Sequence, residues 1–344
     1  MSLIHSAEIA QTSFKAIPII DLSHIISNGA DISVRRALAT EIRNACIDVG
    51  FFYVANHGVP QTLIEDFVSQ SKEFFALPLE SKLKESLHLL TIENKTTPNM
   101  MGYSALLSGN NDPNGGGDFQ EGFEFTGEPL SLLDHGGVSE NGHSIGLNSW
   151  PPELPKFREA ALRYYEAVAN IGKLLYPIFA LALELEEDFS KKRWFLQTNN
   201  AAALMRTLRY PPQEDVTDDH IIGIGAHSDW ECFTVLWQEP GIQALQVLNS
   251  EKEWIDAPPI PGTFVINLGD QFARWTNGIF KSTVHRVINR SGVCRYSIPL
   301  FVGANWDAKL EPIPGCVSPD RPLQYEIITA GEYVKTKLAE TYSH

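Results

Sequence analysis

The sequence predicts an α+β fold: a double-stranded β-helix (jelly roll) core buttressed by helices, with a mixed α/β region at the N-terminal end. Three observations predict it. Up to Asn200 the chain carries helical periodicities; beyond it the chain breaks into short β-rich segments; and Pro-Pro, Pro-Gly, Asn-Gly and Ser-Gly signals separate those segments. With 344 residues, 43% of them hydrophobic, the chain can bury a substantial core. No Pro/Gly/Ser linker is long enough to part independent domains. We therefore expect one compact unit in three stretches: an N-terminal region over 1–130 packed on the core, a loop and long supporting helices over 131–200, and the jelly-roll core over 201–344.

Taken in order, Ile17 to Leu22 (IPIIDL) reads as a short strand after a polar lead. Ser33 is placed to cap a helical run through Val49, with Val34, Leu38, Ile42 and Ala45 on one face. Gly50 ends that helix, and Phe51 to Val54, aromatic and β-branched, reads as a buried strand. Pro60 opens a second amphipathic helix, Gln61 to Ala76, which Pro78 stops. Ser108 to Gly117 and Asp134 to Ser149 are polar loops of the kind that either close over a pocket or only decorate a surface. The longest helical pattern follows, Pro155 to about Leu185. The β-rich segments then run Ala202–Tyr210, Ile221–His227, Phe233–Trp237, Ala244–Leu248, Thr263–Asn267, Thr283–Ile288 and Arg295–Phe301.

A net charge of −15 repels polyphosphate and leaves no polybasic anchor, so neither nucleic acid nor a membrane surface is an expected partner. Met1 to Lys15 holds no apolar run, which argues against a secretory signal or an Arg-rich transit peptide. No stretch approaches the ~18 apolar residues of a bilayer span. Cys46, Cys232, Cys294 and Cys316 lie far apart with no C-x-x-C pair, so reduced thiols and a cytoplasmic location are expected. The expected partner is a small molecule, and the oligomeric state is not encoded in any pattern.

Chemistry concentrates in the C-terminal half. In His227-Ser228-Asp229, residues i and i+2 of a strand point to one face, so an imidazole and a carboxylate can grip one ion. Among ten histidines one H-x-D arises readily by chance, and alone the motif is weak. His285 adds weight: it sits in a β-branched segment just after Asn277-Gly278, a pair that favours a tight hairpin turn. Two neutral imidazoles and one carboxylate make the facial triad of non-haem Fe(II) oxygenases, with positions left open for co-substrates. One carboxylate leaves an Fe(II) site formally +1, which favours an anionic chelating co-substrate. Arg295 and Ser297, ten residues past His285 on the next expected strand, also share a face. A guanidinium fork beside a hydroxyl suits the distal carboxylate of 2-oxoglutarate.

These and further blocks resemble the 2-oxoglutarate/Fe(II) dioxygenases of the isopenicillin N synthase type. N-terminal marks are IPIIDL (17–22), GFFYVANHGVP (50–60), SKEFFALPLESK (71–82), GYS (102–104) and FQEGFEF (119–125), followed by WPPELPKFR (150–158). C-terminal marks are LRYPP (208–212), AHSDWECFTVLWQ (226–238), INLGDQFARWTNGIFKSTVHRV (266–287) and RYSIPLF (295–301). The resemblance implies that His227, Asp229 and His285 ligate Fe(II), that Arg295 and Ser297 hold the 2-oxoglutarate tail with Tyr210 touching it, and that O2 is the other co-substrate. It also implies oxidation of a small organic molecule, by hydroxylation, desaturation or ring formation, in secondary metabolism. Asp270, Trp275, Asn277 and Gly278 match too, and read as turn and packing residues.

Substrate-facing candidates are Tyr103, Phe123, Arg206, Leu208, Glu231, Phe301 and Trp306, each weighed against plain packing. Two of them mark departures from the resemblance. Leu208 stands where many plant members carry asparagine, and Glu231 where many carry glycine. If the strand ran on past Asp229, Glu231 would share the ligand face, where a carboxylate is expensive to bury unanswered. Three answers stay open: Arg206 or another basic side chain, a cationic group on the substrate, or a bulge turning Glu231 to solvent. Two other functions stay open as well. One is a same-fold oxidase without 2-oxoglutarate, of the isopenicillin N synthase or ACC oxidase type; the other is a catalytically silent jelly roll that binds a small molecule.

Overall fold

The structure is a computed structural model that describes residues 13–26, 31–86, 101–109, 117–128, 148–186, 203–213 and 223–342. Most of the two polar loops, 108–117 and 134–149, lies outside the described residues. Numbered along the chain, the larger sheet runs β1 (Ile19–Asp21), β2 (Phe51–Ala55), β10 (Thr263–Leu268), β7 (Phe233–Gln238), β12 (Arg295–Val302), β5 (Ala203–Tyr210), β4 (Glu121–Thr126), β3 (Gly102–Ser104). The smaller sheet runs β6 (Ile224–His227), β11 (His285–Val287), β8 (Leu245–Leu248), β9 (Trp254–Asp256). All pairings are antiparallel except β1 with β2. The two sheets enclose the apolar cluster of Phe51, Tyr53, Leu208, Leu245, Val265 and Val287. This is the jelly roll that the spacing of β segments predicts.

Strand alternation sends every second side chain of the large sheet the other way, onto a helical layer. Two short helices, α1 (Ser23–Ile26) and α4 (Leu79–Ser86), belong to the N-terminal part. Phe52 and Val54 of β2, Phe264 and Ile266 of β10, and Ile298 and Leu300 of β12 join one continuous core with α2 (Ile32–Asp48), α3 (Gln61–Phe75) and α5 (Pro155–Ala182). Each fully buried Phe or Ile stabilises the fold by roughly 1.5–3 kcal/mol in transfer energy. The helices thus hold the sheet from outside while its inner face stays available for a site.

Local departures from expectation have local causes. Helix α2 is capped by Asp31, whose carboxylate accepts from the Ser33 amide at 3.0 Å, and Val34 is 38% exposed and leaves the buried face to Leu38, Ile42 and Ala45. Gly50 closes this helix at φ +75°, where a Cβ would sit 2.4 Å from the Lys281 carbonyl oxygen. Asn277 and Gly278 do adopt left-handed angles (φ 49° and 75°). They follow a short helix, α6 (Asp270–Trp275), and do not join two strands.

Candidate metal and co-substrate site

β11 lies between β6 and β8, and its register sets His285 directly opposite His227. The chain leaves β6 at His227, so Asp229 belongs to the loop 228–232 and strand alternation does not align it. Its backbone is held from α6 instead: the Asp270 amide donates to the Asp229 carbonyl at 2.8 Å. Gly269 lets the two segments approach, since a Cβ there would lie 2.2 Å from the Glu231 carbonyl oxygen and 2.9 Å from that of Asp229. Gly269→Ala is therefore expected to push the loop outward and lower metal affinity at least about tenfold, measurable by Fe(II) titration of the purified variant.

The three side chains converge. Their ligating atoms lie within 4.8 Å of one another, with Asp229 Oδ1 3.7 Å from His227 Nε2 and 3.6 Å from His285 Nε2. Each imidazole has its other nitrogen occupied. His227 Nδ1 donates to the Gly225 carbonyl at 2.7 Å and His285 Nδ1 to the Thr283 carbonyl at 3.1 Å, which directs both Nε2 lone pairs to the shared centre. Asp229 Oδ2 accepts from the Thr234 hydroxyl and, at 2.6 Å, from Asn267 Nδ2, so Oδ1 is the oxygen turned to the centre. Thr234 and Asn267 are cross-strand partners on the inner face of β7 and β10.

Charge follows from this packing. Burial opposes the Asp229 carboxylate, but the two imidazoles and the Thr234 hydroxyl outweigh it and hold its carboxyl well below the usual range. Burial, helped by the neighbouring His285, lowers the His227 pKa to about 4 and leaves a neutral ligand at neutral pH. A divalent cation fits this donor set: two imidazole nitrogens and one anionic oxygen, each oriented by a second partner. Among the described residues no other group of three such side chains converges. Thr234→Val removes one of the two outer bonds to Asp229. It is expected to weaken Fe(II) binding about 10–100-fold, checked by chelator competition.

Beside the triad, the inner row of β12 carries Arg295 and Ser297, paired in register with Tyr210 and Leu208 of β5. Arg295 is wholly buried. One guanidinium nitrogen donates to Gln238 Oε1 at 3.1 Å, and the Tyr210 ring lies 4.9 Å from its carbon. Nε and the second terminal nitrogen have no hydrogen-bond partner. Leaving a buried donor unmet costs about 1–3 kcal/mol, more on a charged group, so this fork is built for an anion. Ser297 Oγ donates to the Tyr210 hydroxyl at 3.4 Å, which burial keeps protonated. The distal carboxylate of 2-oxoglutarate matches the unmet fork and the hydroxyls.

Family profiles match on both sides of the long helix. Residues 17–153 fit the N-terminal domain described as non-haem dioxygenase in morphine synthesis, and residues 199–304 fit the 2OG-Fe(II) oxygenase superfamily. A 2-oxoglutarate-Fe(II) type oxidoreductase, hxnY, of Emericella nidulans is 34% identical over 95% of this chain and 90% of its own. The chain belongs to the 2-oxoglutarate/Fe(II) oxygenases. A homoarginine-6-hydroxylase of Glycine max is 33% identical over 88% of this chain and 89% of its own. Among solved structures, a full-length Neurospora crassa protein in complex with alpha-KG and 5-formyluracil superimposes with a TM-score of 0.77 at 27% identity, covering 96% of this chain and 99% of that one. The protein is thus an Fe(II)- and 2-oxoglutarate-dependent dioxygenase with a jelly-roll core, and its relatives act on small molecules. No helix among its described residues is long and apolar enough to cross a membrane.

In this oxygenase a cavity of about 220 Å³ opens over the triad and Arg295. Leu208, Arg206, Glu231 and Phe301 line it, as the sequence reading expects of substrate-facing residues. Tyr103 borders it, yet its ring packs edge-on to Phe74 and its hydroxyl donates to Glu121 at 2.6 Å. Two expected residues lie elsewhere. Phe123 is buried in the aromatic layer against Phe74, Phe157 and Trp150, because alternation along β4 sends Phe123 and Phe125 to the helices and Glu124 to the cavity. Trp306 is 42% exposed and leans on Gly331 and Lys335 of the C-terminal helix α7 (Ala330–Tyr342).

Sequence reasoning missed Glu124, Thr234, Asn267 and Leu338, all of which line the cavity. The alternating GFEF run could have indicated Glu124. Leu338, from α7, carries no local signal of its role. Asp270, read as a turn residue, ties α7 to the metal loop: its Oδ2 accepts from Tyr333 Oη at 2.6 Å and from Ser228 Oγ at 3.2 Å.

Proposed function

We propose that this oxygenase hydroxylates a C–H bond of a small organic molecule, with Fe(II) held by His227, Asp229 and His285 and the 2-oxoglutarate tail held by Arg295, Ser297 and Tyr210. The observation that carries the co-substrate assignment is the buried Arg295 fork with two unmet donors facing a cavity that also contains the triad. With iron bound, 2-oxoglutarate and O2 supply the oxidant, one oxygen atom leaving in succinate as CO2 is released and the other entering the substrate as hydroxyl.

The protein's own groups do the rest. Arg295 pairs with the co-substrate carboxylate, and the Tyr210 and Ser297 hydroxyls complete its hydrogen bonds. Leu204, Leu208, Leu236 and Phe301 shape an apolar wall that excludes water from the reacting carbon. Support for hydroxylation over desaturation or ring closure comes from the Glycine max relative, which is named a hydroxylase.

The test is an untargeted metabolite screen with purified protein, Fe(II), 2-oxoglutarate and O2, scored by succinate. The expected result is substrate-stimulated succinate and a product 16 mass units heavier than its parent, the gain of one oxygen atom. Product formed without succinate would instead establish an oxidase.

A further inference from the structure

Among the described residues three carboxylates line the cavity, and their surroundings differ. Glu124 Oε1 accepts from Arg206 Nε at 2.8 Å and from Ser104 Oγ, also at 2.8 Å, so its charge is paired although Oε2 is buried without a hydrogen bond. Asp229 is answered by Thr234 and Asn267 and faces the two imidazoles. Glu231 makes no hydrogen bond or ion pair to any side chain among the described residues. The favourable groups near it are the backbone amides of Trp230 and of Glu231 itself, while Asp229 and Asp270 add like charge.

Of the three ways a carboxylate could be tolerated here, the structure removes two. Of the two arginines on the cavity wall, Arg206 pairs with Glu124 and Arg295 donates to Gln238, and neither forms an ion pair with Glu231. The loop does not turn Glu231 outward: the residue is half-buried and lines the cavity. Its backbone is fixed there, with the Glu231 carbonyl accepting from the Gln271 amide at 3.3 Å and Gly269 packed beneath it. A held carboxylate with no side-chain partner, in a cavity whose lining is largely apolar, selects for a donor on the ligand.

We infer that Glu231 is a specificity-determining residue that anchors a cationic nitrogen, an ammonium or guanidinium group, on a substrate with an apolar body. The inference rests on the oxygenase reading for which molecule is oxidised, but its binding arm does not depend on turnover. The apolar wall takes the hydrocarbon part, and Glu231 sets the distance from the charged nitrogen to the carbon that is oxidised.

The test is anaerobic calorimetry on the protein with Fe(II) and 2-oxoglutarate present. The probes are matched pairs: n-hexylamine against n-hexanol, benzylamine against benzyl alcohol, and cyclohexylguanidine against cyclohexylurea. Wild-type protein is expected to bind each cation at least about tenfold more tightly than its neutral partner. Glu231→Gln should erase that preference and Glu231→Asp, which keeps the charge, should retain part of it. Thermal melting confirms that both variants are folded. Equal binding within the pairs, no binding by any cation, or a preference that survives Glu231→Gln would each overturn the inference. Absence of succinate in the metabolite screen would count against the oxygenase reading alone, since the calorimetric preference is read without catalysis.

Discussion

Asp229→Ala is expected to bring substrate-coupled succinate formation to background, a loss of at least about a thousandfold, well beyond the ~10–100-fold that outer partners of a metal ligand usually cost. The reason is electrostatic as well as geometric. Asp229 is the only anionic member of the triad, and its oxygen sits 3.7 Å and 3.6 Å from the two imidazole nitrogens. Without it a divalent ion would meet two neutral ligands in a buried pocket. The fold should survive, because Asp229 belongs to a loop whose backbone bond from Asp270 needs no side chain. Metal analysis should show iron lost while circular dichroism stays native. His227→Ala and His285→Ala are expected to behave in the same way. Near-normal activity of any of the three at limiting Fe(II) would refute the ligand assignment.

Arg295→Lys is expected to raise the KM for 2-oxoglutarate about 10–100-fold, with a smaller effect on kcat once the co-substrate saturates. Lysine preserves charge but not the planar fork, so it cannot meet a carboxylate with two parallel bonds. The cost of breaking one side of a buried charged pair, about 2–5 kcal/mol, bounds the effect from above. Steady-state kinetics at fixed Fe(II) reads it directly. A second readout is the weak visible charge-transfer band formed when 2-oxoglutarate is added anaerobically to the Fe(II) enzyme. That band should need correspondingly more co-substrate in the variant. An unchanged KM would mean that the carboxylate binds elsewhere, and that the unmet donors of Arg295 have another purpose.

Much of the site was legible because it depends on short-range rules. The segment 295–297 is a strand, so Arg295 and Ser297 share a face and both reach the cavity. Tyr210 and Leu208 sit opposite them for the same reason. The structure brings His227 and Asp229 together, but by another route than the strand alternation expected of them. The strand stops at His227, and Asp229 is brought round by hydrogen bonds from residues some forty positions away. Phe123 shows the limit of residue type as evidence: an aromatic beside a candidate pocket serves either layer, and only the parity of β4 sends it to the helices.

The sequence by itself determined the jelly roll, the donor set and the fork, since β-branched alternation, metal-ligand chemistry and a guanidinium beside a hydroxyl are properties of a few neighbouring residues. Only the tertiary structure decided how those groups are answered. Thr234 and Asn267 come from β7 and β10 to turn one oxygen of Asp229 toward the metal centre, and Arg206 crosses to Glu124 and leaves Glu231 unpaired. Leu338 reaches the cavity from the C-terminal helix. The physical reason is range. Side-chain direction along a strand is set within two residues, whereas hydrogen-bond partnership and cavity closure are set by segments that meet only after the sheets have paired.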